Sequence, residues 1–508
     1  YYSNSTEHIL AELERVDILI RAQVARARLL YARDQEFRGL VISEQEVDDL
    51  LGQPAGLPRW AVAEASESLP QLESALHEVR AHIDTCKTAS LERGVELRLE
   101  WLSRYFQLDA FDVDVLLICL AHEIDLRYER LFAYLHDDVT KKRPSVGLVL
   151  DLLCATLKHK LRARQRFSAE APLHRHHLIY LFDDPSQQTA PRIGKYLRLD
   201  DRVASYLLDS DEPDRQLVSY VELTVPGKKF DDLLLPDEIR DRLAAYDSAN
   251  GAENRKTIFY FQGHYGVGKQ STAEAICQQR GLHLLVVQGE RLLGLDDSEF
   301  TSTTMVILRE ALIQGAAPYW VGFDALLAEK RRTRLLMLLK QLEEHKGLVF
   351  LCGEIGWEPK GALRTSDFLR VEFPSPDLSD RVQFWARYLS NTPCAPDVDL
   401  AALAGQFQLT GGQIRDAAAS ARNLTRWRDP DQRDLTQADL YAACRLQSNR
   451  KLSTLAQKIT PRYTWDDIVL PDERLQQLEE VLTAAKYRSL VYGQWGFDRK
   501  LSVGKGLN

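Results

Sequence analysis

The 508-residue sequence has no long apolar run, no excess of positive charge and no C-x-x-C motif. No apolar stretch approaches the roughly 18 residues that a membrane-spanning helix requires, and the first residues, YYSNSTEH, lack the basic and then apolar form of a secretion signal. The net charge of −9 argues against a protein dominated by nucleic-acid or anionic-membrane contacts. Seven scattered cysteines are expected to be small buried residues in a reducing compartment. We therefore expect a cytoplasmic protein with neither membrane nor nucleic acid as its main partner.

A glycine-rich turn between an apolar strand and a helix is the strongest motif present, IFYFQGHYGVGKQST at 258–272. Glycines let backbone N–H groups close around an anion, the helix N-terminus adds its dipole, and the lysine neutralises the outer phosphates. The pattern predicts a P-loop that binds ATP or ADP. The predicted contacts are Gly263, His264, Tyr265, Gly266, Val267, Gly268, Lys269, Gln270 and Ser271.

One position of this P-loop departs from the pattern G-x-x-x-x-G-K-[ST]. Gln270 stands where a hydroxyl group normally contacts the Mg2+ ion, and Ser271 faces about 100° further round the helix. We therefore expect Mg2+ to be held weakly.

The N-terminal part of the chain is predicted to be helical. Residues 5–36 carry apolar side chains at helical spacing, which predicts a long amphipathic helix. It is either half of a hairpin within the chain or an arm that binds a partner. Ser43 and Glu46 form a capping box for a second helix. We place a helical arm at 1–66.

A winged-helix-like helical domain is predicted at 67–229, because helices precede strand candidates at 177–182 and 217–223. Such domains often bind DNA, and KHKLRARQR at 158–166 is basic, although a solvated helix face is the alternative. The histidines at 174, 176 and 177 are either metal ligands or part of a loop, since no cysteine or carboxylate stands at ligand spacing.

An internal repeat is the most informative pattern in the sequence. FDDLLLPDEIRDRL begins at Phe230 and WDDIVLPDERLQQL at Trp465, 465 − 230 = 235 residues apart. The repeat predicts that a similar linker and helix open two successive modules. We assign 451–508 to a linker and the truncated start of a second module, and expect the natural protein to continue into it.

From residue 230 to about 450, the order and spacing of motifs resemble the AAA+ ATPases. The matching stretches are PYWVGFDALLAE at 318–329, similar to a Walker B strand, GLVFLCGEI at 347–355, similar to a sensor 1 strand, and LTGGQIRDAAASA at 409–421, similar to a sensor 2 helix. The resemblance implies an α/β P-loop large subdomain at 230–374 and a helical lid at 375–450. It also implies that Asp324 is the Walker B residue and Mg2+ ligand, that Arg415 reaches the phosphates and that Arg364 is a candidate arginine finger.

Four departures from the AAA+ pattern predict a degenerate module. Ala325 replaces the acid that orients the attacking water, and Gln270 weakens the metal site. The sensor 1 asparagine has no equivalent near Cys352, and the candidate pore loop at 293–295 lacks an aromatic residue. We expect this module to hydrolyse ATP poorly even if it binds it.

Two interpretations of the P-loop follow. In the first, Lys269 and the loop amides hold nucleotide as a structural ligand, with Arg415 reaching it from the lid. In the second, the site is a relic in which His264 and Tyr265 fill the former nucleotide space.

The whole arrangement resembles the two-module AAA+ ATPases of bacterial extracellular contractile injection systems, phage-tail-like particles of the anti-feeding-prophage kind. The residues behind this resemblance are RGLVISEQEVDDLL at 38–51, the stretch 123–153 and the two repeats. It implies a homo-oligomer, expected to be a hexameric ring, that assembles or remodels a protein component of the particle. Three functions stay open: a ring ATPase powered by the second module, a nucleotide-stabilised assembly scaffold without significant turnover, and a winged-helix DNA-binding regulator.

Overall fold

A computed structural model describes residues 1–31, 51–52, 56–58, 69–184, 190–250, 256–429, 434–448, 465–489 and 491. They fall into two units, the first comprising 1–218 and 301–314 and the second comprising 219–300 and 315–508. The helix predicted after Ser43 and the stretch after residue 491 lie outside the described residues. Among the helices that the structure describes, none is long and apolar enough to cross a membrane.

The first unit is mainly helical. Its helices are α1 (Ser5–Tyr31), α2 (Leu69–Glu92), α3 (Arg98–Phe106), α4 (Ala110–Ile124), α5 (Arg127–His136), α6 (Val146–Leu153), α7 (Leu157–Ala163), α8 (Pro172–Arg175), α9 (Asp201–Leu207) and most of α13 (Asp297–Ile313). Two antiparallel strands, β1 (Ile179–Phe182) and β2 (Tyr196–Leu199), complete it. The strand predicted at 177–182 is thereby confirmed.

The amphipathic helix α1 packs inside this unit. Its apolar side chains Ile9, Val16 and Ile20 are fully buried in one hydrophobic core with the side chains of α4. Burying an aliphatic side chain of this size contributes roughly 1.5–3 kcal/mol. Of the two interpretations of this helix, packing within the chain is therefore the one that the structure shows. The division between residues 66 and 67 stays a prediction.

A buried ionic cluster lies in the first unit. The Arg309 guanidinium is 2.9 Å from the Asp200 carboxylate and 3.3 Å from the Asp214 carboxylate. Its neighbour Glu310 accepts from Arg202 at 3.0 Å. All five side chains are almost completely removed from solvent. Buried charges require such partners, so the segment around Arg309 is held by specific pairing as well as by apolar contact.

The second unit contains a six-stranded sheet in the order β3-β5-β6-β7-β4-β8. The strands are β3 (Val221–Thr224), β4 (Thr257–Gln262), β5 (His283–Gln288), β6 (Ala316–Val321), β7 (Leu348–Gly353) and β8 (Asp367–Glu372). Only the β3–β5 pair is antiparallel among these neighbours. The second strand candidate, at 217–223, thus corresponds to β3, which pairs in this sheet and not in the winged-helix-like region where the sequence analysis placed it.

The helices of the α/β part and the lid surround separate cores. They are α10 (Asp237–Asn250), α11 (Lys269–Arg280), α12 (Gly289–Leu292), α14 (Arg332–Glu344), and in the lid α15 (Leu378–Leu389), α16 (Leu400–Gln406), α17 (Gly411–Arg428) and α18 (Gln437–Ser448). The lid core is built around the buried side chains Trp385, Leu403, Ile414 and Leu440. Capping boxes at Asp377 and Thr410 fix where α15 and α17 begin.

The internal repeat recurs in the local structure. A 3-10 turn at Phe230–Asp232 precedes α10, and a matching turn at Trp465–Asp467 precedes α19 (Asp472–Ser489). Turn and helix begin 235 residues apart in both cases (465 − 230 and 472 − 237). The predicted linker-and-helix repeat is therefore confirmed.

Candidate nucleotide site

The strand, the glycine-rich turn and the helix of the predicted P-loop are present in the structure. β4 ends at Gln262 and α11 begins at Lys269, so six residues connect a buried strand to a helix N-terminus. Gly263, Gly266 and Gly268 have φ angles of 155°, 81° and 103°. Residues larger than glycine are strained at these positive φ angles, which is why the turn needs glycine. Between them, the Val267 side chain is buried in the core of the α/β subdomain.

The Lys269 ammonium group is folded back onto the loop. Its Nζ atom donates to the carbonyl oxygen of Gly263 and, at 3.1 Å, to that of His264. An ammonium group has three donors and binds phosphate as a point charge. A phosphate group would compete with these carbonyls, so the glycine turn, the helix N-terminus and Lys269 together fit an anion.

The two residues after Lys269 face other partners. The Gln270 side-chain amide donates to Glu274 at 3.2 Å. Ser271 accepts a hydrogen bond from Lys228 at 2.8 Å, and the same ammonium lies 3.1 Å from Glu274. Lys228 and Glu274 were missed in the sequence analysis. Glu274 stands four residues after Gln270 on one helix, a spacing that could have indicated the pair.

Asp324 lies beyond the end of β6, where Gly322 turns the chain with a φ of 72° into a 3-10 turn at Phe323–Leu327. Its carboxylate accepts from the backbone N–H of Glu354 at 2.5 Å and from that of Ile355 at 3.3 Å. The carboxylate therefore joins the end of β6 to the chain that leaves β7.

Tyr260 completes this arrangement from β4. Its hydroxyl oxygen is 2.5 Å from the carbonyl oxygen of Ile355 and 3.4 Å from the Asp324 carboxylate. A hydroxyl has one proton, so the shorter contact is the one in which it donates. Burial, together with the nearby Asp324 carboxylate, raises the pKa of Tyr260 above its ordinary value. The residue stays a neutral donor at physiological pH, and sequence reasoning gave no sign of its role.

These contacts do not fit a magnesium ion. Mg2+ in nucleotide sites takes a carboxylate and a hydroxyl oxygen in a strict octahedral geometry. The Asp324 carboxylate instead accepts from two backbone amides, and Gln270 supplies an amide that is turned toward Glu274. Ala325 follows Asp324 and has no group that could orient water. Within the described ranges, no group of three or more His, Cys, Asp or Glu side chains could hold a metal ion.

The strand β7, which resembles a sensor 1 strand in sequence, ends in a crowded position. A Cβ atom added to Gly353, the last residue of β7, would collide with the Asp324 carboxylate and the Tyr260 hydroxyl. Its neighbour Cys352 is buried, and burial raises the pKa of that thiol to about 12. Position 353 therefore has no room for an asparagine side chain.

The lid reaches the P-loop directly. The Thr410 hydroxyl donates to the carbonyl oxygen of Tyr265 at 2.7 Å, and the backbone N–H of Gly412 donates to that of Gly266 at 2.8 Å. Arg415 is brought to the same place: it contacts Asp416 at 3.1 Å and donates to the Tyr265 hydroxyl at 3.3 Å. Sequence reasoning found Arg415 but missed Thr410 and Asp416.

The other residues named in the sequence analysis take no part in the contacts between the P-loop and the lid that are described above. Arg364 is exposed, and its Nε donates to the carbonyl oxygen of Gly361 at 2.8 Å. Arg370, the alternative arginine, donates to Gln262 at the end of β4 at 2.9 Å. The candidate pore loop is tied at Leu293, whose carbonyl oxygen accepts from Arg334 at 2.9 Å.

Two family models match parts of the chain. Residues 1–221 match a variant winged helix domain, and residues 377–450 match the contractile injection system ATPase helical domain. The chain thus has an N-terminal winged helix domain, which precedes a P-loop α/β sheet with a helical lid. The predicted fold class is confirmed.

The second match is the more specific one, because 377–450 coincides with the lid helices α15 to α18. It confirms the resemblance to the AAA+ ATPases of contractile injection systems that the sequence indicated.

Two further comparisons add no functional detail. The comparison with curated proteins finds no match. A solved structure titled "Structural Basis for Katanin Self-Assembly" is 16% identical, covers 47% of this chain and 93% of its own, and has a TM-score of 0.38. A TM-score of this size carries no weight for fold or function.

Proposed function

We propose that the chain is the nucleotide-binding and ring-forming part of an AAA+ ATPase that assembles or remodels a contractile injection particle, and that its P-loop module hydrolyses ATP weakly or not at all. The observation that carries this proposal is the position of Asp324, whose carboxylate accepts from the amides of Glu354 and Ile355 while Ala325 occupies the place of the catalytic acid. A positioned general base typically contributes about 10²–10⁴-fold to a rate. Its loss, with a metal site that does not fit, leaves little turnover.

Nucleotide binding by this module is proposed on different residues. The glycine turn, the N-terminus of α11 and Lys269 form an anion cradle, so ATP or ADP would replace the loop carbonyls that Lys269 now contacts. The Asp324 carboxylate is engaged by backbone amides, and Gln270 stands where a hydroxyl group would contact Mg2+. Nucleotide binding should therefore depend little on the metal. When bound, the nucleotide supplies a charged phosphate chain, and the loop amides and Lys269 hold it.

Hydrolysis is proposed to occur in a second module beyond residue 508. The support is the repeat: the same turn and helix that precede the first P-loop, at Phe230 and Asp237, recur at Trp465 and Asp472. We further propose that a homo-oligomeric, hexameric ring acts on a protein component of a phage-tail-like particle in the cytoplasm. The exposed Arg364 would then be offered to a neighbouring subunit.

A nucleotide-stabilised scaffold is the second candidate function. The contacts of Asp324 favour it if no module of the protein hydrolyses ATP. The DNA-binding regulator has less support, because two cations of the basic run 158–166 are paired within the chain. Lys160 contacts Asp151, and Arg166 contacts Asp109. Salt-dependent DNA binding would be needed to favour that function, and its absence at low salt would exclude it.

The test is binding of labelled ATP and ADP to the 508-residue chain, in Mg2+ or in EDTA, with phosphate release followed in the same samples. Lys269→Ala should weaken binding about 10- to 100-fold, since a charge-assisted contact is lost. The exposed Lys360→Ala is the matched control and should bind like the parent chain. If neither the parent chain nor either variant binds ATP or ADP, the proposed nucleotide-binding role is wrong. Phosphate release at about 1 per second or faster, abolished by Lys269→Ala, would overturn the claim that this module turns over little ATP.

A further inference from the structure

The first turn of α17 is seated on the P-loop through two glycines. A Cβ atom built on Gly266 would lie 2.6 Å from the Thr410 hydroxyl and 2.7 Å from the Cα atom of Gly412. A Cβ atom built on Gly412 would lie 2.5 Å from the Cα atom of Gly266. Contacts this short do not occur between real side chains and backbone, so both positions must be glycine for the lid to approach. The middle glycine of the loop is therefore required by the lid, independently of any phosphate.

Two hydrogen bonds hold the start of α17 on the P-loop. The backbone N–H of Gly412 donates to Gly266, and Thr410 donates to the carbonyl oxygen of Tyr265. The first N–H groups of a helix have no partner inside that helix, so the P-loop supplies one that would otherwise come from solvent. The bond is made to the chain itself and needs no ligand.

The Tyr265 side chain adds a contact further along α17. Its hydroxyl donates to the Asp416 carboxylate at 2.9 Å, and Arg415 approaches the same hydroxyl and the same carboxylate at 3.3 Å and 3.1 Å. Arg415 is the lid residue that the AAA+ resemblance directs to the phosphates. Here its guanidinium is directed to a tyrosine of the P-loop and to its own neighbour.

We propose that Tyr265, Gly266, Thr410, Gly412 and Asp416 form a latch that holds the helical lid on the P-loop without nucleotide. Lids of nucleotide-binding modules commonly close by a hinge motion around their ligand. The latch replaces that ligand by contacts within the chain, so the lid keeps one position in the presence and absence of nucleotide. This inference goes beyond the proposed function and does not require that the module binds nucleotide.

Hydrogen–deuterium exchange of the 508-residue chain tests the latch, read on peptides spanning 264–268 and 409–416. In the parent chain, the amides at the start of α17 should be protected without nucleotide, and excess ADP should leave their exchange unchanged. Tyr265→Phe removes one hydrogen bond and should speed their exchange about five-fold, while Gly412→Ala, which forces the backbones apart, should speed it at least about ten-fold.

Matched controls separate the latch from general destabilisation. Tyr441→Phe removes a hydroxyl from a lid tyrosine that packs on Phe407, and Gly227→Ala adds a methyl group where nothing lies within 4 Å. Both should exchange like the parent chain. If Tyr265→Phe and Gly412→Ala also exchange like the parent, or if protection appears only when ADP is added, the latch is refuted. If Gly412→Ala does not fold, Tyr265→Phe alone decides. Failure of ADP to bind would overturn the proposed nucleotide role and leave the latch to be judged on the nucleotide-free exchange.

Discussion

Replacing Asp324 by alanine should destabilise the α/β subdomain, because this carboxylate is a structural acceptor. It accepts from the backbone N–H of Glu354 at 2.5 Å and of Ile355 at 3.3 Å. A hydrogen bond to a charged group contributes about 1.5–3 kcal/mol, and the longer contact belongs at the weak end of that range. We therefore expect the free energy of unfolding of this subdomain to fall by about 2–4 kcal/mol.

Urea unfolding measures this loss. With a denaturant slope of about 2 kcal/mol/M, the midpoint of the transition that reports the second unit should fall by about 1–2 M. Asp324→Asn keeps one acceptor oxygen and should lose about half as much. Asp241→Ala removes an exposed carboxylate whose partner is Arg240, and its effect should stay within about 0.5 kcal/mol.

One result would refute the structural role of Asp324. If Asp324→Ala unfolds at the same urea concentration as Asp241→Ala and also loses Mg2+-dependent nucleotide affinity, the carboxylate is a metal ligand and the backbone contacts are incidental. Unchanged nucleotide affinity in EDTA, with the midpoint lowered, is the expected outcome.

Three further predictions follow from other parts of the chain. Gln270→Thr combined with Ala325→Glu should recover little ATP turnover, because position 353 still has no room for a sensor side chain. A phosphate-release assay that compares this double variant with the parent chain checks the prediction. Arg309→Met should lower the stability of the first unit by about 3–5 kcal/mol in urea unfolding, since two buried carboxylates lose their counter-charge, and a loss below 1 kcal/mol would contradict the buried cluster. Burial lowers the pKa of His136 to about 4, so the contribution of the neutral imidazole to stability is complete above about pH 6.5 and is lost as the pH falls toward 4. His136→Gln should therefore reduce the slope of unfolding free energy against pH in that window by up to about 1.4 kcal/mol per pH unit. An unchanged slope would contradict this prediction.

The parts of the site that could be predicted are those encoded locally. The strand, the three glycines and Lys269 follow one another within a dozen residues, so their spacing alone specifies a loop between a strand and a helix N-terminus. The linker-and-helix repeat was predictable for the same reason, as turn chemistry and helix capping depend on near neighbours.

The contacts that decide what the site can do connect distant parts of the chain. Tyr265 and Asp416 are 151 residues apart, and Tyr260 and Ile355 are 95 residues apart. No periodicity or local spacing reports such pairs, because they depend on which strand ends meet at the sheet edge and on where the lid lies on the loop. The role of Asp324 was inferred from a motif, and its real partners became visible only when β6 and the end of β7 were side by side.

The crowding over Gly353 limits which residues this position can accept. An asparagine introduced there by one substitution would place its side chain against Asp324 and Tyr260 and would cost stability. Removing either residue first would break the hydrogen bonds that join the ends of neighbouring strands. Accommodating a side chain at position 353 therefore needs several coordinated changes, each of which alone costs stability. If the proposed inactive module is paired with an active one, this crowding would oppose the return of a sensor side chain to the first module.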